Sequence, residues 1–300
     1  SAQRQLPSYA KIYIMNMSFF EIEEWEEPFI KKNLTDHQIT FDTQPLTLDK
    51  LEGIKNTEIL SVFIYSLVTK EMLEKLPNLK YIVTRSTGID HIDLKTCKDK
   101  GIVVSNIPVY GTNTVAEHTF ALILALSRKI VASVERTRRG DFSIENLRGF
   151  DLFRKTIGII GAGNIGKSVV KIAKGFGMDV IAYTKHEEDA IKCGAIYVEL
   201  DELLKRSDVV SLHLPYTKET YHIINKENIT KFKKGSILIN KARGGLLETE
   251  AILLGLEKGY LGGVGVDVLE EEIVLKEERQ LLTEQFTKQS DFKTQLLNHV

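Results

Sequence analysis

The stretch GIIGAGNIG, Gly158 to Gly166, does more than any other to restrict what this chain can become. An aliphatic run, Ile157 to Ile160, meets Gly161, Gly163 and Gly166 and passes into the helical-looking SVVKIAKGFG. A strand that turns on glycines straight into a helix opens a βαβ unit suited to a dinucleotide. The three glycines serve different ends. Gly161 allows a tight turn, Gly163 lets the backbone approach a pyrophosphate, and Gly166 lets the helix lie close on the strand. The first N–H groups of that helix, near Asn164 and Ile165, and its positive dipole end would face the phosphates.

This unit sits in a longer alternation of short aliphatic runs and amphipathic stretches, the pattern of parallel α/β folds. Early strand candidates are Ile12 to Met15, Ile59 to Ile64, Tyr81 to Val83 and Ile102 to Ser105. Thr69 to Leu76 and Leu94 to Lys100 read as helices that Pro77 and Gly101 stop. A second series runs through Thr156 to Ile160, Asp179 to Tyr183, Ile196 to Val198, Val209 to Leu212, Ser236 to Asn240 and Leu261 to Val266. Between the series one long apolar-faced helix is expected from about Asn113 to Arg139, ended by Gly140. A length of 300 residues suits two domains at about 150 each, here 1–108 and 109–300 with a hinge near Asn106 to Gly111. The fold class expected is α/β in two domains: a Rossmann-type doubly wound parallel sheet and a smaller flavodoxin-like α/β domain. The charge-rich stretch from Glu270 to Gln295 reads as a solvated helix or loop.

Charge narrows the partners. With a formal net charge of −1 and no long basic run, the chain is expected to bind neither nucleic acid nor a membrane surface. Its densest apolar stretch, Phe120 to Leu126, is far short of the roughly 20 residues a bilayer requires. The opening SAQRQLPSYA has no secretion-signal core. Cys97 and Cys193 fit neither a disulfide framework nor a metal spacing, so reduced thiols, a cytoplasmic location and no metal are expected.

NAD and NADP are usually separated at the tip of the next strand, where an acidic side chain accepts from the ribose 2′-OH. Here that tip reads Ala182, Tyr183, Thr184, Lys185, His186, with Thr184 at the acid's spacing and no acid present. A 2′-phosphate would not be repelled, so the cofactor is NAD or NADP, with relaxed selectivity or a lean to NADP. These residues are equally readable as a solvated loop.

Six motifs in order then carry a resemblance: RSTGIDHIDL at Arg85, IPVYGTNTVAEH at Ile107, GIIGAGNIG at Gly158, SLHLPYTKET at Ser211, INKARGG at Ile239 and GVDVLEEE at Gly265. Over nearly its whole length the chain resembles the D-isomer-specific 2-hydroxyacid dehydrogenases, in particular their D-lactate dehydrogenase branch. The resemblance implies NAD(P)-dependent reduction of a small 2-oxo acid, with pyruvate to D-lactate favoured over glyoxylate or hydroxypyruvate. It makes the first domain the substrate domain and the second the cofactor domain, with substrate in the cleft between them, and it implies a homodimer formed through the cofactor domain. Arg243 matches the catalytic arginine, whose planar fork can hold a carboxylate and polarise a ketone together. As a bare residue it reads more often as a solvent-facing loop cation, so its role here rests on the motif. Glu272 matches the carboxylate that supports the catalytic histidine. Thr87 and Gly88 match the turn whose backbone meets the substrate carboxylate, and Tyr65 and Tyr110 match pocket-lining positions. Leu214, Pro215, Lys241, Ala242 and Asp267 fall at cofactor-contacting positions, and His213 beside them reads as structural or cofactor-contacting.

One element of the family pattern is not matched. The catalytic histidine belongs to a T-P-H turn after an N-V strand, and the sequence reaches LLNHV without it; His299 is not that residue. The expectation is a chain lacking its acid and the return segment of its first domain, binding cofactor and turning over weakly. A non-enzymatic, cofactor-sensing protein on the same fold is the alternative.

Overall fold

A computed structural model describes residues 14–270. The chain divides into two compact units, Ser1–Tyr110 and Gly111–Val300.

The first unit is a five-stranded sheet of β1 (Asn16–Phe19), β2 (Gln38–Phe41), β3 (Ile59–Val62), β4 (Tyr81–Thr84) and β5 (Val103–Ser105). All pairings are parallel and the order is β2-β1-β3-β4-β5, the flavodoxin-like winding. Helix α1 (Glu26–Asn33) follows β1, and α2 (Lys70–Lys75) and α3 (Leu94–Asp99) follow β3 and β4. Side chains start the last two: Thr69 accepts from the Met72 N–H and Asp93 from the Thr96 N–H. Leu60, Leu73, Leu76 and Ile82 are fully buried between sheet and helices.

Two expectations are corrected here. The first strand begins at Asn16, so Met15 lies ahead of it, Ile14 is exposed, and Ile12 and Tyr13 lie outside the described residues. Pairing decides this: Met17 stands opposite both Ile39 and Ile59, which buries it at the sheet centre. Strand β2 is absent from the sequence expectation, because QITF sits at the edge and leaves alternate residues exposed.

In the second unit, α4 (Thr112–Ser127) and α5 (Ile130–Arg138) precede β6 (Thr156–Ile160). Then come α6 (Asn164–Gly175), β7 (Asp179–Tyr183), α7 (Glu187–Cys193), β8 (Ile196–Tyr197), α8 (Leu200–Arg206), β9 (Val209–Leu212), β10 (Ser236–Asn240), α9 (Thr249–Glu257) and β11 (Leu261–Val266). The six strands are parallel in the order β11-β10-β9-β6-β7-β8, a doubly wound sheet. Successive side chains leave on opposite faces. Ile157, Ile159, Ile237 and Ile239 therefore pack under α4 and α6, while Ile160, Val210, Leu212 and Leu238 pack under α8 and α9. With both faces covered, every residue of β9 and β10 is buried, which is why these strands read as continuous apolar runs.

The single long helix is corrected to two. Lys129 takes a left-handed conformation, φ 55°, between α4 and α5. At the break the Ser127 carbonyl accepts the Phe150 N–H at 3.0 Å, and Gly149 lies so close that a Cβ there would be 2.2 Å from that oxygen. A returning segment thus takes the carbonyl that would have continued the helix. Gly140, φ 75°, follows the end of α5 as expected. No helix among the described residues is long and apolar enough to cross a membrane.

Candidate functional site

In a doubly wound sheet, ligands sit outside the carboxyl ends of the strands where the winding reverses. In the second unit that point lies between β6 and β9, because the chain runs outward through β7 and β8 and then returns to the other side of β6. The glycine turn leaves β6 there. Gly161 has φ 101°, and a Cβ on it would stand 2.7 Å from the His213 carbonyl oxygen at the end of β9. A Cβ on Gly166 would stand 2.1 Å from the Gly161 carbonyl, so only glycine lets α6 lie this close to β6. A Cβ on Gly163 would meet nothing within 4 Å. The fold therefore demands the first and third glycines but not the second, whose open space is what a closely approaching pyrophosphate requires. Among the described residues no side chain caps α6, and no acidic residue lies in its first turn, so the N–H groups of Asn164 and Ile165 are left for an anion. These residues fit a dinucleotide.

Neighbouring strand ends complete the edge. The Gly161 N–H donates to the Tyr183 carbonyl at 2.8 Å, which sets the turn beside half-buried Thr184 at the tip of β7. The His213 N–H donates to the Ile160 carbonyl at 2.8 Å and brings Leu214 and Pro215 to the same edge. The His213 ring hydrogen-bonds Ser211 Oγ at 2.9 Å, and burial lowers its pKa to about 4, so it is neutral at pH 7.

Beyond β10, buried Asn240 shapes the turn: its Oδ1 accepts the Ala242 N–H at 3.0 Å and its Nδ2 donates to the Arg243 carbonyl at 2.8 Å. Arg243 is thereby held extended and exposed, with one guanidinium N–H on the Ala242 carbonyl. Lys241 pairs with Asp267 at the tip of β11, and His118 lies 3.6 Å from the other Asp267 oxygen. Asp267 thus faces two basic side chains.

The chain after β11 is fastened over this turn. A Cβ on Gly244 would stand 2.0 Å from the Leu269 carbonyl, and Glu270 accepts from Thr249 N at 3.1 Å and Thr249 Oγ1 at 2.7 Å while bonding His222. The sequence places Glu270 in a solvated charge run. It is instead a paired, half-buried residue, because a threonine and a histidine distant in sequence enclose it. Glu272, like His299, lies outside the described residues.

In the first unit Tyr65 follows β3, Thr87 and Gly88 follow β4, and Tyr110 follows β5, all beyond carboxyl strand ends. Both tyrosines are more than half exposed, at 52% and 64%. Asn106 donates to the Thr87 carbonyl at 2.7 Å, and Thr87 Oγ1 donates to the Ile107 carbonyl at 2.9 Å. Among the described residues the backbone N–H groups of Thr87 and Gly88 donate to no internal acceptor, which leaves a turn able to receive a carboxylate. Asn240 and Glu270 are functional candidates that motif reading misses. Both lie inside the quoted motifs.

Comparison with known proteins agrees with this geometry. Residues 120–289 match the family described as D-isomer specific 2-hydroxyacid dehydrogenase, NAD binding domain. A 2-hydroxyacid dehydrogenase homolog of Haemophilus influenzae is 35% identical over 86% of this chain and 80% of its own. A glyoxylate reductase of Thermococcus litoralis is 38% identical over 87% of this chain and 77% of its own. The solved structure of D-lactate dehydrogenase from Aquifex aeolicus, complexed with NAD and lactic acid, superposes with a TM-score of 0.85 at 40% identity, covering 94% of this chain and 84% of that one.

Proposed function

Since the chain belongs to the D-isomer-specific 2-hydroxyacid dehydrogenases, oxidoreductases that use a nicotinamide dinucleotide, we propose that it reduces pyruvate to D-lactate. The observation that carries this reading is Arg243, exposed at the tip of β10 on a turn that Asn240 holds from both sides. The similarity to an enzyme solved with lactic acid favours the small substrate.

The cofactor, when bound, supplies the hydride. The open side of Gly163 and the first N–H groups of α6 would hold its pyrophosphate and Thr184 its ribose, while Leu214, Pro215, Lys241, Ala242 and Asp267, at the adjoining strand tips, would contact it. The Arg243 fork binds the 2-oxo acid carboxylate and polarises the ketone oxygen, so charge developing there is stabilised. In the first unit, the substrate domain in this reading, Thr87 and Gly88 offer backbone N–H groups suited to a carboxylate, and Tyr65 and Tyr110 stand beyond the neighbouring strand ends. The proton is assigned to no described residue; the resemblance links its donor to Glu272.

Exposed Ile130, Val131 and Val134 on α5, with Phe142 and Ile144 beyond it, are the surface on which we place a homodimer contact, and the two free cysteines accord with a cytoplasmic location. The test is kcat/KM with NADH for pyruvate, glyoxylate, hydroxypyruvate and a branched 2-oxo acid in the full-length protein. Pyruvate is expected to lead. A lead by glyoxylate, the substrate class named for the Thermococcus relative, makes the chain a glyoxylate reductase, and no turnover of any of the four rejects the reading.

A further inference from the structure

At the carboxyl edge of the first sheet one acidic residue joins three strand ends. Glu21 follows β1 with φ 55°, a left-handed conformation that a non-glycine residue holds only when its surroundings over-determine it. Its carboxylate lies in a nest of donors from the loop after β3: Phe63 N at 3.0 Å, Tyr65 N at 2.7 Å, Ser66 N at 3.1 Å and the Ser66 hydroxyl. The same hydroxyl oxygen accepts the Leu46 N–H at 2.9 Å. From the other side Arg85, the first residue after β4, donates Nη2 to the carbonyls of Phe20 at 2.8 Å and Glu21 at 2.6 Å, and Nη1 to Ser61 Oγ at 3.0 Å. One fork thus reaches β1 and β3 from β4, a span that a lysine's single ammonium could not cover.

Resting on the reading of these loops as substrate loops, we propose that Glu21 and Arg85 are positioning residues. Together they set the Tyr65 loop against the Thr87–Gly88 turn and so decide how tightly a 2-oxo acid is held. Three backbone N–H groups aimed at one carboxylate form an anion nest, and here the chain's own side chain fills it. The consequence is a shaped loop whose amides are spent on Glu21, leaving the turn at Thr87 and Gly88 as the part of this edge with amides for a carboxylate. Glu21 touches no reacting atom. Its effect passes through the loop that carries Tyr65.

The test uses the full-length protein with Glu21→Gln, which keeps the size but points amide hydrogens at donors. KM for pyruvate is expected to rise about tenfold while kcat and the NADH dissociation constant stay within twofold, and the amides of residues 63–66 should exchange with solvent faster. Ser66→Ala, which removes one of the four donors, should move KM the same way by less, and Glu24→Gln, an exposed neighbour, should move nothing. An unchanged KM and unchanged exchange in a folded Glu21→Gln protein overturn the proposal. Faster exchange without a KM change overturns the assignment of this loop to substrate while leaving the family's activity intact. A parallel loss of NADH affinity overturns it in favour of general loosening. Wild-type protein that reduces no 2-oxo acid overturns both this inference and the proposed function.

Discussion

Glu270 and His222, from the chain ends beyond β11 and β9, meet Oε1 to Nε2 at 2.5 Å, and the second Glu270 oxygen fastens the start of α9 through Thr249. The pair pins Leu269 across Gly244, the residue after Arg243. Burial works to raise the Glu270 pKa, but the bonds from Thr249 and His222 outweigh it and hold the carboxyl below its ordinary value of 4.5.

A carboxylate whose folded pKa is lowered contributes stability above its unfolded pKa and loses it as pH falls through the folded value. Glu270→Gln is therefore expected to lower the unfolding free energy by about 1–2 kcal/mol at pH 7, and the two proteins should converge in acid below the folded pKa. Urea titrations at falling pH from 7 check this; a difference that does not shrink on acidification contradicts it.

The two glycines flanking the start of α6 should separate binding from folding. Gly163→Val is expected to leave the melting temperature nearly unchanged, since the space beside it is open, yet to weaken NADH binding at least a hundredfold. Gly166→Ala forces a methyl against the Gly161 carbonyl and should cost about 1–3 kcal/mol of stability or more. Fluorescence titration and thermal melts of both variants decide it.

Cofactor choice should turn on Thr184. The wild type is expected to discriminate less than tenfold between NADH and NADPH, and Thr184→Asp should move the ratio toward NADH by about tenfold or more, through a ribose acceptor and repulsion of the 2′-phosphate. A wild-type preference for NADH above a hundredfold, about 2.7 kcal/mol, would show that another residue decides.

Arg243→Lys keeps the charge and loses the fork. It should reduce kcat/KM for pyruvate by roughly a hundredfold or more with NADH affinity unchanged. Lysine activity within threefold of the wild type would remove Arg243 from the role.

His213, with its folded pKa near 4 against 6.5 unfolded, leaves the unfolded chain binding more protons between those values. Stability should therefore fall as pH drops from 6.5 towards 4, by up to about 1.4 kcal/mol per unit, and His213→Asn should flatten that slope. Chemical denaturation at half-unit intervals measures both curves.

Much of the second sheet is legible in the sequence because β6, β9 and β10 are short, mostly aliphatic runs covered on both faces, where apolar residues need no alternation. Strand β2 escapes because an edge strand with solvent on alternate residues looks like loop. The α4–α5 break escapes for a different reason. The apolar pattern continues through Ile130, and periodicity cannot register that Phe150 takes the Ser127 carbonyl. In the site, the glycines and Arg243 carry local patterns. Glu270 does not: its histidine lies 48 positions away, and a run of three acids resembles a solvated surface until the chain folds around the first of them. Glu21 is hidden likewise, its nest of amides lying 42 to 45 positions downstream.

The phosphate turn is braced by the protein's own backbone. Gly161 is hydrogen-bonded to Tyr183 on one side and wedged against the His213 carbonyl on the other, so its backbone has already surrendered the freedom that a loose glycine loop would lose on binding. Association with a dinucleotide then requires little ordering, and the entropy saved appears as affinity. Arrival rates should accordingly be alike for NADH and NADPH and for tip variants of β7. What distinguishes the complexes is how long they last.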